Sequence, residues 1–349
     1  MWRPRFLRGA ALVFAGVALH ATTVLAQDEK KAELEVGRWY DSIESGLNLT
    51  QSAYSDNWHG GETNSLAWTA FLNAGAQRRF TNGIDWASRL RLRFGQTHQQ
   101  QKDADGNRSW DRPKKSEDKI DFETLALLSK GWKIDPYLSG RWESQFIDQS
   151  DPTDRDIYIN PSTFKESAGI ARHFLQRGEE EFFLARLGWT QRQNYRRYYL
   201  YATGDVTDSK LAHDGGVELQ ADWRLKILQE KVAWMAKFTV YQPFSWSESE
   251  TFDRVSADSL GAAGIDADVK DFSTVVDAVW ENTFTTQVTK WIAFNIYVEF
   301  RYDKYDNSVV PIVNGAGDNL ENAGAVADAI RKDVQWKQTF GIGITYRFM

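Results

Sequence analysis

Three arginines at alternate positions, Arg89, Arg91 and Arg93, are the residues best suited to chemistry in this sequence. A spacing of two places their guanidinium groups on one face of a β-strand. Such a row can line a pore that selects anions, as rings of arginine or lysine do. It can equally form cross-strand ion pairs, because Asp121 and Glu123 alternate in the next segment on what we take to be the same face.

Further charges of both signs alternate with apolar residues in later segments. A polar face of this kind is expected to point into the wet interior of a barrel, so these residues are candidates for the lumen and its selectivity. With both signs this plentiful, the lumen could be open or could be crosslinked shut by ion pairs. The additional inward candidates are Arg141, Glu143, Arg186, Glu218, Asp222, Asp277, Glu281, Glu299 and Arg301, and among them Arg141, Glu299 and Arg301 are the candidates for the lumen and its selectivity.

Metal binding and catalysis have weaker support in the sequence. There is no cysteine, which excludes disulfides and thiolate chemistry. His59, His98 and His213 fall on the side of the long loops, but no pair has a fixed ligand spacing, so we predict no metal and no cofactor. The sequence has no G-x-S-x-G, H-E-x-x-H or phosphate-loop motif, so we predict that the protein is not an enzyme. The least favoured alternative, a barrel-embedded lipid hydrolase or protease, would use His173 or His59.

The charged faces require β-strands, and from Trp39 the chain repeats one unit. Each unit consists of two alternating segments joined by a short turn and then followed by a longer polar loop. About twelve segments are predicted. They are 39–52, 64–79, 84–98, 118–129, 132–147, 163–175, 181–194, 214–226, 231–243, 271–287, 290–304 and 333–348.

Short and long links alternate along the whole chain, which is typical of bacterial outer-membrane barrels. We therefore predict an all-β fold, a transmembrane antiparallel up-and-down β-barrel of about 12 strands spanning 39–349 as one domain. With the short turns in the periplasm, both termini are periplasmic and six long loops are outside the cell. A soluble sandwich would also alternate apolar and polar residues, but it has no reason to sort its loops by length.

Composition agrees with a membrane barrel. The chain has 349 residues, 26% of them charged, with a mean hydropathy of −0.53. A spanning strand needs only every second residue apolar, so such a barrel is hydrophilic on average. Aromatic residues make up 14% of the chain and include 15 tryptophans, which favour the membrane–water interface. The net charge of −6 argues against nucleic acid as a partner.

Residues 1–26 resemble a secretory signal peptide, as expected for a Gram-negative outer-membrane protein. Arg3, Arg5 and Arg8 form its positive end, an apolar stretch follows, and Ala26 precedes the expected cleavage site. Residues 27–38 are highly charged and are predicted to be a short periplasmic lead-in.

The last strand alternates strictly from Phe340 to its end, and it resembles the C-terminal strand that outer-membrane barrels present to the barrel-assembly machinery. On this resemblance, Gly343, Tyr346 and Phe348 are the assembly signal. Met349 departs from the usual terminal aromatic residue. The expected partners are therefore outer-membrane lipid and the assembly machinery, with a small solute in the lumen.

The first hairpin contains the most specific motif in the chain. A strand with Asn48 and Gln51 in the sequence N-L-T-Q is followed by a loop of sequence N-W-H-G-G-E. This pairing resembles the Bacteroidota-type outer-membrane β-barrel family catalogued as domain of unknown function 3078. The resemblance implies the barrel fold but no activity. The motif loop consists of Asn57, Trp58, His59, Gly60, Gly61 and Glu62.

Two interpretations of this loop remain open. Gly60 and Gly61 permit a tight turn with Trp58 at the membrane rim. Alternatively, the polar residues of the loop contact a ligand or partner.

For the whole protein, the leading hypothesis is a narrow porin-like channel for small solutes. The alternative is a closed structural barrel whose long extracellular loops, 244–270 and 305–332, bind a surface partner.

Overall fold

A computed structural model describes residues 35–53, 64–81, 83–102, 108–151, 153–177, 181–200, 204–289, 292–331 and 333–348. The predicted signal peptide and most of the predicted lead-in lie outside these residues. Within the described ranges, no helix is both long and apolar enough to cross a membrane.

Twelve long strands form the wall of the structure. They are β1 (Trp39–Ser52), β2 (Ser65–Arg79), β3 (Ile84–Lys102), β5 (Lys114–Leu128), β6 (Asp135–Ser144), β9 (Ser162–Arg177), β10 (Glu181–Tyr199), β11 (Thr207–Ile227), β12 (Val232–Trp246), β13 (Asp277–Gln287), β14 (Ile292–Tyr302) and β15 (Gln335–Phe348). Three short strands lie in the loops. Strand β4 (Arg108–Trp110) pairs with the end of β3, and β7 (Ile147–Asp148) pairs with β8 (Ile157–Tyr158).

The wall closes on itself. Each long strand pairs antiparallel with its neighbours in chain order, and β15 pairs antiparallel with β1. This confirms the predicted up-and-down barrel of twelve strands. Short turns lie at one end, the short-turn end, and longer loops lie at the other, the long-loop end. Both β1 and β15 meet the short-turn end, because the strand number is even.

Several predicted element boundaries differ from the structure, and the differences are largest at β13 and between β10 and β11. Strand β13 begins at Asp277 rather than at 271, because residues Ala267–Thr274 form a 3-10 helix. Strands β10 and β11 stay paired as far as Tyr199 and Thr207, so the predicted loop 195–213 is reduced to the link 200–206. The two strands continue to pair beyond the point where their apolar face ends. The prediction relied on the alternation of apolar residues, so it could not detect this polar extension of the strands.

The two faces of the wall are those of a transmembrane barrel. Large apolar side chains point outward and stay accessible, with Ile342 at 65% and Leu138 at 62% exposed. Charged side chains point inward and are buried, with Asp121 at 2% and Arg186 at 4%. A soluble sandwich has the opposite arrangement, whereas lipid contact explains an apolar exterior around a polar lumen.

Aromatic rings form a continuous outward band near the short turns. Ring centroids are separated by 5.2 Å between Phe174 and Phe183, 5.9 Å from Phe183 to Trp223 and 5.3 Å from Trp223 to Trp234. Phe284 continues the band at 5.9 Å from Trp234. This is the position that aromatic residues favour at a membrane–water interface.

Two long loops, 247–276 and 303–334, fold together at the long-loop end. They contain the short helices Ser249–Arg254, Ala257–Ala262 and Ala323–Ala329 besides the 3-10 helix. We call this unit, with the end of β12, the cap. Its buried core consists of Trp246, Phe252, Val255, Leu260, Ile265, Val269, Tyr305, Val309, Val326 and Ala329.

Gly188 tests how tightly the wall is packed on its inner face. A Cβ atom there would lie 2.5 Å from the Ala168 carbonyl oxygen and 2.5 Å from the Tyr137 hydroxyl. We expect Gly188→Ala to lower the free energy of unfolding by about 1–3 kcal/mol, since backbone cannot move aside cheaply. Urea unfolding in micelles, followed by tryptophan fluorescence, measures the change. The matched control is Gly140→Ala, where the nearest atom is 3.7 Å away, and an equal loss in both variants would contradict this expectation.

Candidate functional site

The three arginines of β3 lie on the inner face of the barrel wall. Strand register places Arg89 beside Glu123 and Arg91 beside Asp121 on the adjacent strand β5. Arg91 donates to Asp121 as a ladder would predict, but the nearest carboxylate described for Arg89 belongs to Asp222 on β11, at 4.0 Å. The arginines therefore reach beyond the neighbouring strand, across the lumen.

Glu281 on β13 ties opposite walls of the barrel together. Its Oε2 accepts from Arg91 Nη1 at 3.3 Å, and its Oε1 accepts from Lys119 of β5. Strands β5 and β13 are six positions apart in either direction around the wall, so the contact between Lys119 and Glu281 crosses the full diameter. These side chains therefore cross the lumen at this height.

Asp121 is the second carboxylate of this contact. Arg141 donates to its two oxygens from Nε and Nη2, at 2.9 Å each, and Arg91 donates to Oδ2. Two guanidinium groups therefore share one carboxylate that is 2% exposed. We call Arg91, Lys119, Asp121, Arg141 and Glu281 the lumen network.

A second set of ion pairs lies nearer the short-turn end. Glu123 accepts from Arg186 and, at 3.2 Å, from Lys237 of β12. Arg186 also lies 3.4 Å from Asp222. The structure brings Glu123 and the arginines together with Lys119 and Lys237, two lysines that were not among the sequence candidates. Their alternation with apolar neighbours was the signal that could have identified them.

The remaining lumen candidates form a group on β14. Arg301 lies 2.9 Å from Glu299 Oε1, and the Tyr297 hydroxyl donates to Glu299 Oε2 at 2.8 Å. The guanidinium of Arg93 stacks over the Tyr297 ring, 4.6 Å from its centroid. Arg93 therefore contacts the π-face of a tyrosine from across the lumen.

In several pairs the cation is far more exposed to solvent than its carboxylate partner. The exposed fractions of the side chains are 44% and 6% for Arg89 and Asp222, 50% and 15% for Arg301 and Glu299, and 40% and 9% for Lys337 and Glu117. The guanidinium and ammonium groups cover the carboxylates. Other pairs show the opposite order, since Glu143 is 28% exposed beside Lys165 at 19%, and Glu123 is 12% exposed beside Lys237 at 8%.

A polar cavity of about 60 Å³ lies between the lumen network and the cap, large enough for a few water molecules. Beside it, Arg192 donates to Asp214 and to Asp277 at 2.9 Å, and the Tyr241 hydroxyl donates to Asp214 at 2.6 Å. The lining residues are Lys165, Thr190, Arg192, Glu218, Thr239, Tyr241, Asp277 and Val279.

Asp303 lies just past the end of β14, where the lumen meets the cap. Burial raises the pKa of its carboxyl to about 7, and the nearby carboxylates of Asp277 and Asp306 act in the same direction. Arg192 and Arg301 act in the opposite direction but are outweighed. The group therefore changes charge close to neutral pH.

The motif loop Asn57, Trp58, His59, Gly60, Gly61 and Glu62 lies outside the described residues. Gly343, Tyr346 and Phe348, the predicted assembly signal, lie in β15 at the seam with β1. His98 lies in β3, His213 in β11 and His173 in β9. Over the described ranges, no group of three or more potential ligands is placed to hold a metal ion.

Part of the barrel matches a known protein family. Residues 49–149 match the family described as "Protein of unknown function (DUF3078)". The match confirms the resemblance of the first hairpin to this family. It extends from within β1 to the loop after β6 and includes the motif loop, Arg89, Arg91, Arg93 and Asp121.

Solved structures with a similar outline are outer-membrane barrels at low identity. An outer membrane channel from Pseudomonas putida F1 is 10% identical, with 92% of this chain and 98% of that chain covered and a TM-score of 0.35. The NanC porin is 9% identical, with 87% of this chain and 98% of that chain covered and a TM-score of 0.31. The translocator domain of the autotransporter NalP from Neisseria meningitidis is 11% identical, with 98% of this chain and 97% of that chain covered and a TM-score of 0.27. No curated protein matches the chain. The fold assignment therefore rests on the strand pairing of this chain itself.

Asp121→Asn tests the lumen network. The change keeps the shape of the side chain but leaves Arg91 and Arg141 without their shared charge. We expect the free energy of unfolding to fall by roughly 3 kcal/mol, because removing one partner of a buried ion pair leaves the other charge buried without compensation. Urea unfolding measures the loss. Glu35→Gln removes one carboxylate from an exposed pair whose side chains are 69% and 60% exposed, and it should change little. Equal effects in the two variants would mean that the network does not stabilise the barrel.

Asp303→Asn tests the buried carboxyl at the base of the cap. A folded-state pKa raised from 3.8 to about 7 disfavours the ionised form in the folded protein. Its contribution to stability is full below about pH 4 and is lost as pH rises through 7. We expect the variant to flatten the decline in melting temperature between pH 5 and 8. A slope unchanged from that of the natural protein would show that Asp303 is not its source.

Proposed function

We propose that this protein is an outer-membrane β-barrel that conducts small anions through a narrow lumen. The observation that carries the proposal is the exposure of the cations in three ion pairs, those of Arg89, Arg301 and Lys337, whose carboxylate partners are covered. A wall of this kind attracts anions and repels cations, because a narrow lumen with walls of low dielectric constant strengthens the field of the exposed charges. It deepens the role that the sequence suggested for Arg89, Arg91 and Arg93.

The lumen network supports a size limit for the proposed channel. Glu281 holds Lys119 and Arg91 from the opposite side of the barrel, so a solute must pass beside these contacts. Twelve strands lie between the eight that leave a filled interior and the sixteen that leave a wide channel. The proposal is therefore a porin-like path for small solutes.

The proposal also assigns an orientation. The short turns and both termini would face the periplasm, and the cap would face the outside of the cell. The exposed apolar face would contact outer-membrane lipid, and β15 would be the strand recognised by the barrel-assembly machinery.

A closed structural barrel that binds a surface partner is the second candidate, and the cap favours it. The cap is more than a pair of polar loops, because hydrogen bonds join its two segments. Ser256 N donates to the Asp318 carbonyl at 2.8 Å, and Asn307 Nδ2 donates to the Ser273 carbonyl at 3.0 Å. A folded outer unit above crosslinked ion pairs suits a binding surface on a filled barrel.

Single-channel recording decides between the two candidates. The refolded protein in a planar bilayer should give small, steady steps, and the reversal potential under a salt gradient should show a preference for chloride over potassium. Neutralising Arg89, Arg301 and Lys337 together, each to Gln, should reduce that preference at least several-fold.

Arg38→Gln is the matched control, since Arg38 is exposed at the short-turn end and pairs with Glu35. It should leave the selectivity unchanged. A barrel that shifts in gel mobility on heating, and is therefore folded, yet never conducts would contradict the channel and support the closed barrel. Cation selectivity would contradict the role given to the exposed arginines.

A further inference from the structure

The seam between β1 and β15 is paired over only part of its length. Pairing runs from Ile43 and Phe348 at the short-turn end to Asn48 and Gly343 near the middle. Beyond that point β1 continues to Ser52, paired only with β2, and β15 pairs only with β14. Residues 49–52 and 339–342, all within the described ranges, form no ladder with each other. The barrel wall is split on the side of the long loops.

A split of this kind is costly in a membrane. Unpaired backbone N–H and C=O groups in the hydrocarbon region are strongly unfavourable, unless water or another polar group reaches them. The split lies in the half of the barrel nearer the long loops. Its edges must therefore be reached by water from the lumen or by a polar part of a bound molecule.

The side chain of Asn48 lies at the point where the ladder ends. A Cβ atom on Gly343 would lie 2.1 Å from Asn48 Oδ1, and one on Gly341 would lie 2.8 Å from Asn48 Cγ. The carboxamide therefore covers both glycines on the inner face. Asn48 Oδ1 is buried, and no donor in the described part of the chain reaches it. The split therefore begins beyond the buried Asn48 side chain, toward the long loops.

The two sides of the split differ in chemistry. Outward-facing residues on both strands are apolar and exposed, with Leu49 at 57%, Phe340 at 58% and Ile342 at 65%. On the inner face of β15, Lys337 pairs with Glu117 at 2.6 Å while 40% of its side chain stays exposed. A molecule lying in the split would meet lipid-like surface outside and a cation inside.

We propose that the split is a lateral opening for a lipid-like amphiphile whose head group carries an anion. The acyl chains stay among Leu49, Phe340 and Ile342 in the outer leaflet. The head group enters the lumen, where its anion faces Lys337. The choice of an anionic head group rests on the proposed anion-preferring lumen, whereas the opening itself rests on the strand register.

Cysteine crosslinking tests the opening, since the chain has no natural cysteine. Leu49→Cys with Ile342→Cys would face each other if the ladder continued. Leu47→Cys with Ile344→Cys is the matched control, because these positions are paired in the ladder. In vesicles, mild oxidation should join the control pair at least tenfold faster. Equal rates would mean a closed seam and would overturn the proposal.

Lipid-dependent quenching tests the occupant. A fluorophore on Thr50→Cys, on the inner face of β1 beside the split, should be quenched at least twofold more by head-group spin-labelled phosphatidylglycerol than by the phosphatidylcholine analogue. Lys337→Gln should remove the difference. A fluorophore on Thr239→Cys, across the lumen on β12, is the control and should respond to neither. Absence of quenching at 50, or equal quenching by both lipids, would reject the anionic amphiphile.

Conductance of the same samples separates this inference from the proposed channel. Loss of anion preference with intact quenching would reject the channel and leave the opening. Anion-selective conductance without quenching would do the reverse.

Discussion

The contact of Glu281 with Lys119 and Arg91 is the interaction on which the interior depends. Charges taken out of water must be paired closely, or they destabilise the fold by several kcal/mol. A barrel of this width brings opposite walls within reach of long side chains, so a carboxylate on one wall can be neutralised from the other. The same contact stabilises the wall and narrows the lumen.

In some of the ion pairs inside the barrel, the cation is much more exposed than the carboxylate that it neutralises. Lysine and arginine are long and keep their heads near water, whereas aspartate and glutamate stay close to the wall. The exposed fractions of Arg89 and Arg301 against those of Asp222 and Glu299 follow this geometry.

The two ends of the barrel solve different problems. At the short-turn end, the aromatic band from Phe174 to Phe284 meets the membrane interface and the turns are tight. At the long-loop end, the chain builds a small apolar core within the cap and leaves the seam of β1 and β15 unpaired. The short-turn end is therefore regular, whereas the long-loop end carries the cap and the unpaired part of the seam. We place the interactions with solute, partner and amphiphile at the long-loop end.

The sequence by itself determined the number of strands, their order, the alternation of long and short links and the inward direction of Arg89, Arg91 and Arg93. These properties follow from a period of two along the chain, which is local information. Only the tertiary structure decided which charges meet. Partners such as Lys119 and Glu281 are separated by many strands, and their heights depend on strand tilt and stagger, which closure of the barrel sets. The core of the cap and the split beside Asn48 were equally hidden, since both arise where distant segments pack or fail to pair.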